Sequence, residues 1–555
     1  MDVAKSKLAQ AVGAIKSVRP HNLRIPMLFA PKVVNLRVDL AAVGIATLVF
    51  WLATTPVSAY FIQGDTPAQD YVALAWSQGC WEHVTEKMFA VTLLTPLFVL
   101  FGSSPHWETA ILAGAAMVSV VTTYELSRSL TKSQVGGLFA ALLLTALPAF
   151  QFFSHTYFGY QTPCLLLAWL AVHRKRWGWA GFWFGLSFVA HFNALVPIAL
   201  SVCALFVAHI RDLSWRSKLR LVCGGLAPLV CVEGLFFFYT GDPLIWSRGI
   251  LAVISNFSGA TASGLAAVAH PNWWWLIETV ISNNGASNSA ILAVGMLAPV
   301  VLRGNKTGMA LGLSFFGAAL FYSLQAGIGR SLMLARSLAI LYPFWAVCAS
   351  AALLFFTKLL SSTHRIREFG TGLIILGLFG AAGQTAFFLR DFSATLQPQV
   401  AQWFKAAASE HRPIKYLGST WAAMYWAQAY GVELLVGDAR WIEENDPGQA
   451  VLIFEGRAPR ELSPDGYRIA SFFIKSTVDT MYPALTVQAG IFRRVELWWP
   501  TNPSHSIKPP RPTNRGNASF YYTGVGCYTA PRFMHGTMHF YELVWHKFVH
   551  LLKYR

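Results

Sequence analysis

The feature that most restricts this chain is a series of apolar runs of roughly 15 to 22 residues separated by short basic loops, because that is the length of helix needed to cross a hydrocarbon core. Barrel strands would show short two-residue alternation instead. The composition agrees: of 555 residues 55% are hydrophobic, 14% aromatic and only 12% charged, with a mean hydropathy of +0.45. Ordinary soluble domains carry roughly twice that charge. The expected fold is an α-helical polytopic membrane protein.

A formal charge of +17 invites a nucleic-acid reading, but the cations fall in short loops: "SRSLTKSQ", "HRKRW", "HIRDLSWRSKLR", "RGNK" and "THRIRE". That is the positive-inside pattern, and no nucleic-acid partner is expected. The basic arm at 1–38 is too long and too proline-broken for a cleaved signal peptide, so it should stay cytoplasmic. The seven cysteines show no CxxC or Cys/His metal spacing, and most sit in apolar runs as small hydrophobes. Cys80 and Cys527 both fall on the external side of the topology below, where they are either a disulfide or two separate thiols.

A first span is expected at 40–60, carrying the chain outward, followed by an external loop at 61–106. Within it "KMFAVTLLTPLFVLF" is apolar but short and holds Pro96. If it crossed, every later basic loop would be inverted, so it should lie along the membrane. Further spans are expected near 107–127, 136–152, 161–173, 177–190, 192–209, 218–239, 287–303, 308–326, 334–356 and 370–389, about eleven in all. A second external loop covers 240–286. The membrane part would therefore run over 39–390 and deliver the chain to the outside. Over 391–500 charge rises, and "IKYLGST", "WAAMYWAQAYG", "VELLVGD" and "AVLIFEG" alternate as strand, helix, strand, strand, which suggests a soluble external α/β domain. A proline-rich linker and a basic amphipathic terminal helix fill 501–555. No internal repeat is evident, which disfavours inverted-repeat transporters.

The stretch "YFIQGDTPAQDYVALAWSQG" holds the acids of interest. Thr66, Pro67 and Gln69 read as an N-cap hydroxyl, a proline at the first helical position and a capping-box glutamine, starting a helix that runs to about Gln78. Asp65 then lies just before the helix and Asp70 in its first turn, where the positive end of the dipole favours a charged carboxylate. The plain alternative is two solvated loop acids serving that dipole.

Several segments together resemble the GT-C glycosyltransferases, multispan enzymes that use polyprenyl-phosphate-linked sugars, in particular the branch of the protein O-mannosyltransferases and the lipid A aminoarabinose transferase. "QGDTPAQDYVALAWSQGCW" is similar to that family's first external loop. "TTYELSRSLTKSQVGGLFAALLLTALPAF" is similar to its basic loop and following helix ending in proline, and "RWGWAGFWFGLSFVAHFNALVPIAL" to its glycine-rich helix. "ARSLAILYPFWAVCASAALL" resembles its late helix with an arginine before a Tyr-Pro pair. Many relatives have an adjacent Asp-Glu pair in the first loop, whereas here the next acid after Asp65 is Asp70. The resemblance implies inverting sugar transfer from a polyprenyl-phosphate donor to a lipid, glycan or protein acceptor, outside the cytoplasmic membrane. Either Asp65 or Asp70 would be the base, with Asp65 preferred at the loop-to-helix junction.

Such a reaction also needs cations for the departing phosphate. Arg330 and Arg336, at the outer end of a span against the charge trend, are the first candidates, and Arg248 in the second loop is a third; snorkelling to headgroups is the alternative. His155, Tyr157 and Tyr160 on an expected external turn, and Trp274 within Trp273–Trp275, are either interface anchors or contacts to a sugar or lipid. His191 and Asn193, between two short spans, should pack beside the cleft. No cofactor is expected, and a divalent cation is possible without being indicated, since the loop offers no cage of carboxylates. Asn256 and Asn517 stand in N-x-S contexts that carry no information in a bacterial chain, and Asp438 at a strand end is either a loop cap or a ligand contact. Two other classes remain open: a secondary transporter or lipid flippase, which would show acids at mid-membrane, and a non-catalytic accessory protein, which would tolerate loss of both aspartates.

Overall fold

The computed structural model describes residues 67–78, 88–154, 156, 158–209, 213–240, 244, 246–248, 250–251, 271–328, 335–360, 364–392, 396–417, 420–435, 449–460, 462, 465–473, 494–501 and 521–522, together with Gly44. The expected first span, the Cys80 and Cys527 thiols, Asn256, Asn517 and Asp438 lie outside these residues.

Helix α1 is Pro67–Ser77 and α2 is Met88–Phe101. With 14 residues, α2 reaches about 21 Å, short of a hydrocarbon core of roughly 30 Å. Helix α3, Pro105–Thr131, starts on Ser104, whose side chain accepts from the His106 N–H, with Pro105 in the first turn. Helices α4, Gln134–Ala146, and α5, Pro148–Phe153, are one apolar segment broken at Leu147 because Pro148 cannot donate to the preceding turn. Then come α6, Phe158–His173; α7, Trp177–Ala190; α8, Leu195–His209; and α9, Trp215–Thr240.

Helix α10, Trp275–Val294, takes in the last dozen residues of the expected second external loop, and Gly285 at φ 76° kinks it close to where the span was expected to start. After the short α11, Ala298–Val301, follow α12, Lys306–Gly327; α13, Tyr342–Leu360; and α14, His364–Phe392. Among the described residues six helical segments are long and apolar enough to cross a membrane: Pro105–Thr131, Phe192–His209, Trp215–Phe238, Trp275–Val301, Lys306–Gly327 and Ser337–Leu359. Helices also cover the expected segments at 136–152, 161–173, 177–190 and 370–389.

Small residues set the closest approach in the bundle. Helices α7 and α9 pack along Gly181, Gly185 and Gly224, where an added Cβ would collide with the backbone of Leu221, Gly225 and Gly178 respectively. This is how apolar helices gain contact when lipid is as apolar as their side chains.

The rest of the chain forms α15, Gln397–Ser409; β1, Ile414–Leu417; α16, Thr420–Tyr430; β2, Leu434–Leu435; β3, Val451–Glu455; β4, Tyr467–Phe473; β5, Arg494–Pro500; and β6, Tyr521–Tyr522. The sheet order is β4-β5-β3-β1-β2-β6. Strand β1 is parallel to β2 and β3, and β5 is antiparallel to β3 and β4. The unbroken apolar run Val451–Phe454 suits β3, which lies inside the sheet and is buried on both faces.

One hydrophobic core fills the bundle, with Phe139, Trp169, Phe315 and Phe344 inside it. A second core joins the bundle to the sheet: Tyr71, Leu74 and Trp76 of α1, Leu94 of α2 and Phe236 of α9 share it with Phe404, Tyr425, Trp426 and Ile453. Helix α1 is thereby held between membrane helices and the sheet-bearing part.

Candidate active site

The site is built around α1. Its first turn carries Asp70, as the sequence pattern suggests, but the surroundings overturn the idea of a solvated loop acid: Asp70 is fully buried. Neither of its carboxyl oxygens receives a hydrogen bond from an N–H or O–H of the described residues. The group it meets is the carboxyl of Glu108, in the first turn of α3 and 2% exposed. Burial first, and then the Glu108 charge and hydrogen bond, push Asp70 well above the usual carboxylate range.

Glu108 was not among the residues singled out from the sequence. The available signal was an acid in the first turn of a strongly apolar helix, where desolvation makes an acid expensive unless it has a role. Gln69 also departs from expectation. Rather than serving only a capping box, its side-chain amide donates to Glu108 Oε1. Successive residues of α1 thus both reach one glutamate on α3.

Two phenols close the surroundings. Tyr160, expected on an external turn, is instead buried in the first turn of α6, edge-on to Phe89 at 5.9 Å and within electrostatic reach of Glu108 and Asp70. From the sheet-bearing part comes Tyr425 of α16, buried and within electrostatic reach of Asp70 and Glu108. Burial and the neighbouring Asp70 carboxyl hold its phenol well above the usual tyrosine range. The Gln428 side chain on the same helix donates to Gln78 Oε1, pinning α16 to the end of α1.

Asp65, His155, Tyr157 and Arg330 lie outside the described residues, and Arg336 is placed only as part of a short 3-10 helix, Ala335–Leu341. Arg248 is half-buried in a helical stretch that the Glu233 carboxylate of α9 caps through the Ser247 N–H at 2.7 Å. Trp274 is 67% exposed at the start of α10, its N–H donating to Asn272 Oδ1 at 2.9 Å, which is the setting of an interface anchor. His191 is buried, its ring stacked on Phe192 at 4.4 Å and its Nδ1 accepting from the Asn193 N–H, while its carbonyl accepts from Gln161. Among the described residues no three His, Cys, Asp or Glu side chains converge as a metal site.

No family model matches the sequence, and no curated protein matches it. The solved structures do offer likenesses. ArnT from Cupriavidus metallidurans bound to undecaprenyl phosphate superposes with a TM-score of 0.56 at 12% identity, covering 85% of this chain and 100% of that one. The same protein in the apo state gives 0.51 at 11% identity, covering 83% and 98%. The chain has the GT-C fold. A fainter likeness, with a TM-score of 0.47 at 13% identity over 75% of this chain and 69% of the other, is to the archaeal oligosaccharyltransferase AglB from Archaeoglobus fulgidus in complex with an inhibitory peptide and a dolichol-phosphate. In this chain Asp70 and Glu108 lie where the helix ahead of the bundle, the bundle and the sheet-bearing part meet.

Proposed function

We propose that the chain transfers a sugar from a polyprenyl-phosphate donor to an acceptor hydroxyl at the outer face of the cytoplasmic membrane. The observation that carries this is an acid-bearing helix, α1, held against a GT-C bundle of the kind that binds undecaprenyl phosphate in ArnT. A lipid phosphate is already a good leaving group. The protein must take the acceptor proton, align the oxygen on the anomeric carbon and stabilise the departing phosphate.

Asp65, just ahead of α1, is the proposed base. In one in-line step the acceptor O–H gives its proton to this carboxylate and the oxygen forms the new bond to the anomeric carbon. The bond from that carbon to the phosphate oxygen breaks, its electron pair leaves with polyprenyl phosphate, and the anomeric centre inverts. Arg330, Arg336 and Arg248 are the cations proposed to meet the phosphate, as forked donors suited to it.

The test is transfer by the full chain in lipid nanodiscs, supplied with polyprenyl-phosphate sugars, alongside native mass spectrometry for a retained isoprenoid phosphate. Wild type should turn over, and Asp65→Asn should lower kcat by about 10²- to 10⁴-fold with donor binding kept. Full transfer by Asp65→Asn together with its loss in Asp70→Asn would move the base to Asp70. No transfer and no bound isoprenoid would sink the reading.

A further inference from the structure

Helices α7 and α9 begin side by side, and a cluster of cations gathers where they do. We propose that this corner is a docking surface for an anionic phospholipid, whose headgroup phosphate meets Arg176, Arg216 and Arg220 while an acyl chain lies along α9. The proposal stands apart from the transfer reading and does not depend on it.

The packing of the two helices brings the cations together. A Cβ added at Gly178 would lie 3.9 Å from Arg220 Cβ, one at Gly181 would strike the Leu221 carbonyl and one at Gly185 the Gly225 carbonyl. These contacts advance in step along both chains, so the helices run parallel and their first turns meet. Their other ends, at Val189 of α7 and Phe236 of α9, enter the core shared with the sheet-bearing part. The cluster is therefore at the opposite end of the bundle, which the loop charges mark as cytoplasmic.

Charge is the second observation. The segments leading into the two helices, "HRKRW" and "HIRDLSWRSKLR", hold seven Lys and Arg residues against one acid, Asp212. Arg174 is drawn to Glu125 at 3.1 Å. Lys175, Arg176, Arg216 and Arg220 are exposed. Guanidinium groups offer forked donors that match phosphate oxygens, and each cation near an anionic lipid surface strengthens binding by about fivefold.

The apolar surface beneath the cluster chooses a lipid over a dissolved anion. Trp215, Leu219, Val222 and Leu226 recur at helical spacing on one face of α9, each at least half exposed. Trp179, the third residue of α7, is exposed as well. Indoles in the first turn of a span mark the boundary between headgroups and acyl chains. The cations thus sit at headgroup depth, and the stripe of Leu219, Val222 and Leu226 continues below them at the depth of a chain. A free phosphate would use the first and leave the second idle.

The experiment places the full chain in nanodiscs made from equal amounts of phosphatidylglycerol and phosphatidylcholine and counts the lipids it retains by native mass spectrometry. Wild type should keep phosphatidylglycerol in preference to phosphatidylcholine. Arg176→Gln with Arg220→Gln should weaken that preference by about tenfold or more, and Trp215→Ala by a few fold with every cation kept. The control, Lys132→Gln with Arg303→Gln, removes two exposed charges from other loops of the same end and should leave the preference nearly unchanged. Equal losses in the two double variants would mean diffuse surface charge and overturn the proposal, as would displacement of the retained lipid by inorganic phosphate in millimolar excess. If the double variant does not fold, Arg176→Gln and Arg220→Gln are read singly, each with an expected loss of about fivefold, and no loss in either overturns the proposal.

Discussion

Helix α3 carries two glutamates, and its ends treat them in opposite ways. Glu108 in the first turn is buried against Asp70. Glu125, about 25 Å further along the helix axis, is paired with Arg128 at 2.8 Å and Arg174 at 3.1 Å, its side chain 23% exposed. One end sets its carboxylate against cations in partial contact with water; the other sets its carboxyl beside a second acid in a dry place. Burying an acid beside an acid costs stability, and this fold carries that cost where α1 meets the bundle.

The sharpest way to break the comparison is to remove each glutamate in turn. Glu108→Ala strands the Gln69 amide and opens a cavity, a cost of about 2 to 4 kcal/mol. The thermal midpoint in nanodiscs should fall clearly, with α1 losing protection from hydrogen exchange ahead of the bundle. A fall no larger than that of the matching change at Glu125 would mean that the pair holds nothing.

A smaller effect separates a partner that titrates from one that does not. Tyr425 lies within electrostatic reach of the same carboxyls, and burial first holds its phenol above the usual tyrosine range. It therefore stays neutral across the working range. Tyr425→Phe should cost about 1 kcal/mol, equally at about pH 5 and about pH 8. A pH-dependent loss would show that the phenol titrates with the neighbouring carboxyls.

How much of this was legible in the sequence divides along the same line. The extent of α1, the ten apolar segments after it and the strand–helix–strand–strand order from Ile414 to Glu455 follow from local rules: run length, proline at a first turn and β-branched stretches. The site needs contacts between distant segments. Gln69 and Glu108 are 39 residues apart, and Gln78 and Gln428 are 350 apart. Periodicity at residue 70 cannot say which helix end will cover it, so the local pattern left Asp70 open as a base or a solvated acid, and Tyr160 as an interface anchor or a sugar contact. Glu108 escaped for a related reason: in isolation a first-turn glutamate is an ordinary complement to the helix dipole. Only the burial of that turn under α1 gives it another meaning. The expectation that the aspartates matter came from the family resemblance and not from their spacing.

The smallest expected effect lies at the opposite end of α3. Arg128 reaches Glu125 with two hydrogen bonds of 2.9 Å and Arg174 adds a third, but Arg174 is 49% exposed and water competes for every charge. Pairs of this kind contribute less than about 1 kcal/mol, and part of that is lost to screening once the Debye length shrinks to about 8 Å at physiological salt. Glu125→Ala should therefore lower the thermal midpoint by no more than about 3 °C in dilute buffer and by less at high salt. Glu108→Ala should cost the same at both ionic strengths, because ions do not enter its site. If salt erased the Glu108 effect as well, water and ions would reach that carboxyl, and the two ends of α3 would differ only in degree.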